Sequence, residues 1–139
     1  MTLLDRIPLR PAHADLVLRL GLAAIFLSHG ITRAVMDRVA PFGAFLDGVG
    51  FPFGIAWAWG VTVFEIAGSL ALLFGLQRRL VCLLFIVQML VGIVLVHLRH
   101  GWFVVGHGTG GMEFSVMLIA GLLAVFALGG NAAHHTNRS

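Results

Sequence analysis

The chain has 139 residues, of which 59% are hydrophobic and only 11% are charged. Soluble domains contain about a quarter charged residues, so this composition excludes a water-soluble globular enzyme and a disordered tail. The formal net charge of +3 comes with nine scattered arginines and no lysine, and no basic run is present that could follow a nucleic-acid backbone. The single cysteine, Cys82, excludes an internal disulfide. We therefore predict one integral membrane domain over residues 1–139.

Four apolar stretches are long enough to cross a bilayer, which takes roughly 20 residues of α-helix. The predicted spans are residues 15–33, 55–76, 79–98 and 112–130. An even number of spans places both termini on the same side of the membrane. The sequence thus predicts an all-α membrane protein, a four-transmembrane-helix bundle with up-down-up-down topology.

Arginine placement predicts the orientation, because cytoplasmic flanks are enriched in basic residues. The two termini and the loop between spans two and three carry five arginines, whereas the other two loops carry three. The first set is Arg6, Arg10, Arg78, Arg79 and Arg138, and the second is Arg33, Arg38 and Arg99. This imbalance predicts that both termini are cytoplasmic.

The two outer loops are unusual in composition. Residues 34–54 are too apolar for a free loop, and we expect them to lie along the outer membrane surface. Residues 100–111 are rich in glycine and are expected to fold back over the mouth of the bundle.

Glu65 is the most informative residue, because a carboxylate in the middle of a span should face the interior and have a partner. It is either a proton-active or ligand-binding group, or a structural group bonded to Arg19, Gln88 or a histidine. Arg19 itself either extends to the cytoplasmic interface or pairs with Glu65. Helical phase favours Gln88 facing inward and His97 facing a neighbouring helix or the mouth.

Several histidines lie at the outer ends of the spans, where Glu113 begins the fourth. Convergence of His29, His97 and His100 on Glu113 would create a proton relay or a metal site, and the alternative is a set of interfacial histidines. The spacing matches no metal-ligand pattern, so no metal site is predicted. A b-type haem between His29 and His97 lacks a defining motif in the same way, and it is not expected. If the site forms, the imidazoles of His29 and His97 should lie within about 8 Å of the Glu113 carboxylate.

Taken together, these segments resemble the DoxX family of small four-span bacterial membrane proteins. The matching pieces, in order, are Arg19-Leu-Gly-Leu, Phe26-Leu-Ser-His-Gly, Arg33, Glu65-Ile-Ala-Gly-Ser-Leu-Ala-Leu-Leu-Phe-Gly-Leu, Arg78-Arg79, His97 to Phe103, and Glu113-Phe114. Arg33 stands where the family often has lysine, and no tyrosine precedes Glu113. The resemblance implies a four-helix bundle in the bacterial inner membrane. For some members it also implies a link to oxidoreductase complexes that pass electrons to quinone.

Two functions follow as hypotheses. In the first, the chain is the membrane subunit of a quinone-linked oxidoreductase, either quinone-binding or non-catalytic, and a soluble or membrane partner subunit supplies the redox cofactor. The first hypothesis makes Glu65 and the outer histidines the quinone site. In the second, the chain is a non-enzymatic anchor, assembly factor or small-solute carrier. In both hypotheses the chain contacts membrane lipid and does not bind nucleic acid. Either function is compatible with an oligomer.

Overall fold

The computed structural model of the chain describes residues 10–106 and 108–135, with side chains described as far as residue 129. The described residues form helices and contain no strand, which confirms the all-α class. The helices are α1 (Pro11–Val35), α2 (Val39–Gly48), α3 (Gly54–Phe74), α4 (Arg78–Leu95), a short 3₁₀ helix (His97–His100) and α5 (Glu113–His135).

Three of the helices, α1, α3 and α4, are long and apolar enough to cross a membrane. The apolar part of α5, Glu113–Gly129, is shorter than the 18 residues that we require of a membrane-spanning helix. Many large apolar side chains point away from the protein interior, among them Val17 at 66% and Phe74 at 72% exposure. Apolar surface on this scale fits an integral membrane protein, whose outer faces contact lipid.

The helix ends follow from local residues. Pro11 begins α1, where its missing N–H costs no hydrogen bond. Gly75 ends α3 in the left-handed region at φ 74°, and the N–H of Leu76 donates to the carbonyl oxygen of Ala71 in a Schellman arrangement. The α4 helix ends at Leu95 rather than at residue 98 as predicted, and the chain continues in the 3₁₀ helix.

The segment predicted as an apolar outer loop contains the ten-residue helix α2, which packs against α3. Close approach of the two backbones depends on Gly43, because a methyl group there would lie 2.8 Å from Ile55 Cα. The Asp47 carboxylate accepts a hydrogen bond from the backbone N–H of Gly54 at 2.8 Å. This contact satisfies one of the free donors at the start of α3 and ties α2 to it.

The core between α1, α3 and α4 is aromatic. The Phe26 and Phe85 rings stack with centroids 4.0 Å apart, and Phe64 packs on Phe85 at 4.6 Å. Phe26 and Phe85 are fully buried. Below we call Phe26, Phe64 and Phe85 the aromatic layer.

The α1 and α3 helices run antiparallel and are in close contact at Gly30. A methyl group on Gly30 would lie 2.9 Å from Ile66 Cγ1, 3.1 Å from Glu65 Cβ and 3.2 Å from the Thr62 carbonyl oxygen. A small residue at this position therefore sets the distance between the two helices.

Gly30→Ala is expected to lower the free energy of unfolding by about 1–3 kcal/mol, because the added methyl group overpacks the α1–α3 contact. The measurement is chemical unfolding in detergent micelles. Gly21→Ala is the matched control on the same helix, since nothing lies within 4 Å of the methyl group it adds. Equal losses in the two variants would contradict the close-contact explanation.

Candidate functional site

Glu65 lies on the face of α3 that packs against α1 and is only 3% exposed. The side chains around it come from three helices. Arg33 reaches it from the last turn of α1, Gln88 from α4, and Thr62 from one turn earlier on α3. We call Arg33, Thr62, Glu65 and Gln88 the Glu65 cluster.

Both carboxylate oxygens of Glu65 accept hydrogen bonds. Arg33 Nη1 donates to Oε2 at 2.7 Å, and Arg33 Nη2 lies 3.4 Å from Oε1. Gln88 Nε2 donates to Oε1 at 2.6 Å. A charge-assisted pair with this forked geometry compensates a carboxylate that has left water.

Two further contacts hold the Arg33 guanidinium. Its Nη1 donates to the Thr62 hydroxyl oxygen at 3.2 Å, and that hydroxyl donates in turn to the Ala58 carbonyl oxygen at 2.7 Å. The guanidinium also lies over the Phe42 ring of α2, 4.8 Å from its centroid. A cation held over an aromatic face gains electrostatic attraction from the ring. The short helix α2 therefore takes part in holding the cluster together.

The cluster is not fully closed. The Arg33 side chain is 16% exposed, whereas that of Glu65 is 4% exposed. Gln88 is also half-buried. The carboxylate thus lies inside the protein, and its two nitrogen donors lie at the edge.

Two of the candidate site residues from the sequence analysis, Glu65 and Gln88, are in contact in the structure. The Gln88 side chain faces inward, as helical phase predicts. The arginine beside them is Arg33, which sequence reasoning placed in the outer loop. Helical spacing could have found it, because Phe26, Gly30 and Arg33 lie on one face of α1 and Gly30 permits close approach.

Arg19 does not pair with Glu65. Its Nε donates to the Asp15 carboxylate at 3.0 Å, and its Nη1 donates to the carbonyl oxygens of Leu72 and Leu73, at 3.2 Å in each case. These carbonyls lie at the C-terminal end of α3, where a cation is favoured. Arg19 therefore binds the C-terminal end of α3, whereas Arg33 binds residues in the middle of that helix.

His97, His100 and Glu113 form hydrogen bonds with backbone groups between Val96 and Gly110. His97 Nδ1 lies 2.7 Å from the Gly110 carbonyl oxygen, and His100 Nδ1 lies 2.9 Å from that of Val96. Glu113 Oε1 accepts from the backbone N–H of Val104 at 2.8 Å, and His29 is exposed on α1. None of the hydrogen bonds among the described residues joins a histidine to Glu113, and their convergence stays a prediction.

The loop between α4 and α5 folds back on itself. Backbone N–H groups of Gly111, Met112 and Glu113 donate to carbonyl oxygens of residues 101–103 at 3.0–3.1 Å. His107, the remaining histidine of this loop, lies outside the described residues. Within residues 10–106 and 108–135, no group of three or more His, Cys, Asp or Glu side chains is arranged to hold a metal ion.

Removing either partner of the Arg33–Glu65 pair is expected to cost about 3–5 kcal/mol of unfolding free energy, because the other charge is left buried and unpaired. The double variant Arg33→Met/Glu65→Leu should lose less than either single variant. The measurement is a double-mutant cycle of unfolding in micelles.

Arg38→Met is the control for this cycle, since Arg38 is an exposed arginine just beyond α1. Its effect should stay within about 0.5 kcal/mol. Additive losses from Arg33→Met and Glu65→Leu would show that the two charges do not stabilise each other.

One of three comparisons with known proteins found a match. A search of the curated proteins found no match, and a search of the solved structures found none either. The DoxX family matches residues 14–98. That range contains all four residues of the Glu65 cluster and more than half of the chain. The chain therefore belongs to the DoxX family, as the resemblance of its segments predicts.

Proposed function

We propose that this protein is the membrane subunit of a quinone-linked oxidoreductase of the bacterial inner membrane, and that it binds the quinone at the Glu65 cluster. One observation carries the proposal. A buried carboxylate inside an apolar bundle is flanked by two nitrogen donors that remain partly exposed. Ionisable groups within membrane spans are rare, and they mark ligand or proton sites.

The chemistry of the cluster suits a quinone. Quinones are apolar molecules with two carbonyl oxygens, and on reduction they take up two electrons and two protons. At the edge of the cluster, Arg33 and Gln88 are placed to donate hydrogen bonds to a carbonyl oxygen, while Glu65 is the group that can hold a proton beside it. The exposed apolar side chains of α1 and α4 provide a surface for the rest of the molecule.

The electrons have to come from another protein. The chain has one cysteine and no nucleotide-binding motif, so a soluble or membrane oxidoreductase would supply the redox cofactor. The role of this chain would be to hold the quinone within reach of that partner and to exchange protons with it.

We also propose that α5 forms the fourth span and that the topology is up-down-up-down. The α5 helix has 23 residues, which at 1.5 Å per residue gives about 35 Å, longer than a hydrocarbon core of about 30 Å. Arg79 at the start of α4 lies over the Phe126 ring, late in α5, as expected for antiparallel neighbours. The arginine imbalance supports cytoplasmic termini.

A second candidate is a non-enzymatic anchor, assembly factor or carrier. It is favoured by the fact that both Glu65 oxygens already have partners within the protein. A cluster saturated in this way could serve only to fix the packing of α1, α3 and α4.

A short-chain quinone is expected to raise the thermal stability of the purified protein, by about 2.7 kcal/mol at 100 times its dissociation constant. Gln88→Met should reduce or abolish this shift, because it removes one donor while retaining the side-chain volume. Leu84→Met, at an exposed position one turn away on α4, is the matched control and should keep the full shift. Absence of any shift in the unsubstituted protein would contradict the quinone site.

Affinity purification after crosslinking in native membranes separates the two candidate functions. The proposed function predicts an oxidoreductase among the recovered partners, together with quinone in the lipid extract. Recovery of neither, with the protein folded, would favour the non-enzymatic role.

A further inference from the structure

Two arginine side chains meet over the turn between α3 and α4, at the opposite end of the helices from Arg33. Arg19 Nε and Arg78 Nη1 both donate to Asp15 Oδ2, at 3.0 and 2.8 Å. A methyl group on Gly75 would lie 3.2 Å from Arg19 Nη1 and 3.8 Å from Arg78 Nε. Two guanidinium groups therefore converge on one carboxylate, which leaves an uncompensated positive charge.

Arg78 and Arg79 stand where a helix favours negative charge. They are the first two residues of α4, whose first turn has no acidic residue and no side-chain cap. The N-terminal end of a helix is its positive end, so two cations there are electrostatically unfavourable unless an anion accompanies them. Arg19, by contrast, also binds the C-terminal carbonyls of α3, so its own charge is well placed.

The described part of the chain provides no further anion at this membrane face. Apart from Asp15, its acidic residues are Asp37, Asp47 and Glu113, which lie at or near the opposite ends of the helices, and Glu65, which lies in the middle of α3 and is paired with Arg33. Arg79 is exposed and lies over the Phe126 ring at 4.5 Å, and none of the ion pairs among the described residues involves it.

Asp15 adds a second, independent observation. The residue is 9% exposed, and its Oδ1 atom is buried with no hydrogen-bond donor among residues 10–106 and 108–135. A buried carboxylate oxygen without a donor is costly, because its contact with water is lost and not replaced. Among the described residues, the cluster therefore has no anion beside Arg79 and no hydrogen-bond donor for Asp15 Oδ1.

We propose that this cluster is a binding site for phosphatidylglycerol. The phosphate diester accepts hydrogen bonds from Arg78 and Arg79 at the start of α4, and a glycerol hydroxyl donates to Asp15 Oδ1 once the headgroup has entered the cluster. Guanidinium groups suit phosphate oxygens because they bind two of them at once. Phosphatidylcholine provides no donor, and its quaternary ammonium would lie close to the arginines. The site is separate from the Glu65 cluster and does not depend on quinone binding.

Native mass spectrometry of the full-length protein, titrated with single lipids in detergent, tests the site. Phosphatidylglycerol should bind more tightly than phosphatidylcholine and about tenfold more tightly than phosphatidylmethanol, a phosphate diester of the same charge without the hydroxyls. Arg79→Gln should weaken phosphatidylglycerol binding about fivefold. This variant spares the Asp15 contacts, and Arg99→Gln at the other end of α4 is the matched control.

Four results would overturn the proposal. Equal binding of phosphatidylglycerol and phosphatidylcholine would exclude a site for an anionic headgroup. Equal binding of phosphatidylglycerol and phosphatidylmethanol would exclude the hydroxyl contact to Asp15. Displacement of the lipid by millimolar inorganic phosphate would show that the arginines bind a free anion. Equal losses of binding in Arg79→Gln and Arg99→Gln would show that the lipid responds only to the general surface charge.

Discussion

The ion pair between Arg33 and Glu65 is the interaction on which the arrangement of the helices depends. A carboxylate that is 3% exposed inside an apolar bundle requires a cation, and the cation has to reach it from another helix. The close approach at Gly30 brings α1 near enough to α3, Gln88 adds α4, and the Phe42 ring adds α2. Glu65 and its partner Arg33 thus connect four of the five α-helices in the described part of the chain, and a shift of any one of the four would break a contact of this pair.

Hydropathy predicts most of the helices, because an apolar run of about 20 residues has few alternatives to a membrane helix. It cannot choose between Arg19 and Arg33 as the partner of Glu65. The two arginines lie near opposite ends of α1, and the choice depends on the register of α1 against α3. That register follows from a backbone contact at Gly30, which a hydropathy pattern does not contain. The inward orientation of Gln88 was predictable from helical phase, because Gln88 and His97 lie on nearly opposite faces of the predicted third span and both cannot face the core.

The α2 helix shows a different limit of prediction. Its ten residues include Pro41, Gly43 and Gly48, which are typical of loops, and helices this short rarely persist without tertiary contacts. What stabilises it is packing on α3 and the Asp47 contact to the start of that helix. The histidines illustrate the opposite case. Their clustering in the sequence suggested one site, whereas His97 and His100 each bind a nearby backbone carbonyl.

The aromatic layer has an electrical consequence. It contains no charged side chain. Two of its rings pack on Gly68, which lies between Glu65 and Leu72 along α3, because a methyl group there would lie 3.1 Å from Phe85 Cζ and 3.2 Å from Phe64 Cε2. Along α3, Glu65 and Leu72 are seven residues apart, or about 10 Å at 1.5 Å per residue. In an energised membrane the voltage falls mainly across material of low dielectric constant, and moving one charge through the whole drop is worth about 2.3 kcal/mol per 100 mV. The apolar core that contains these three rings is such material, so in an energised membrane the two charged clusters would lie at different electrical potentials.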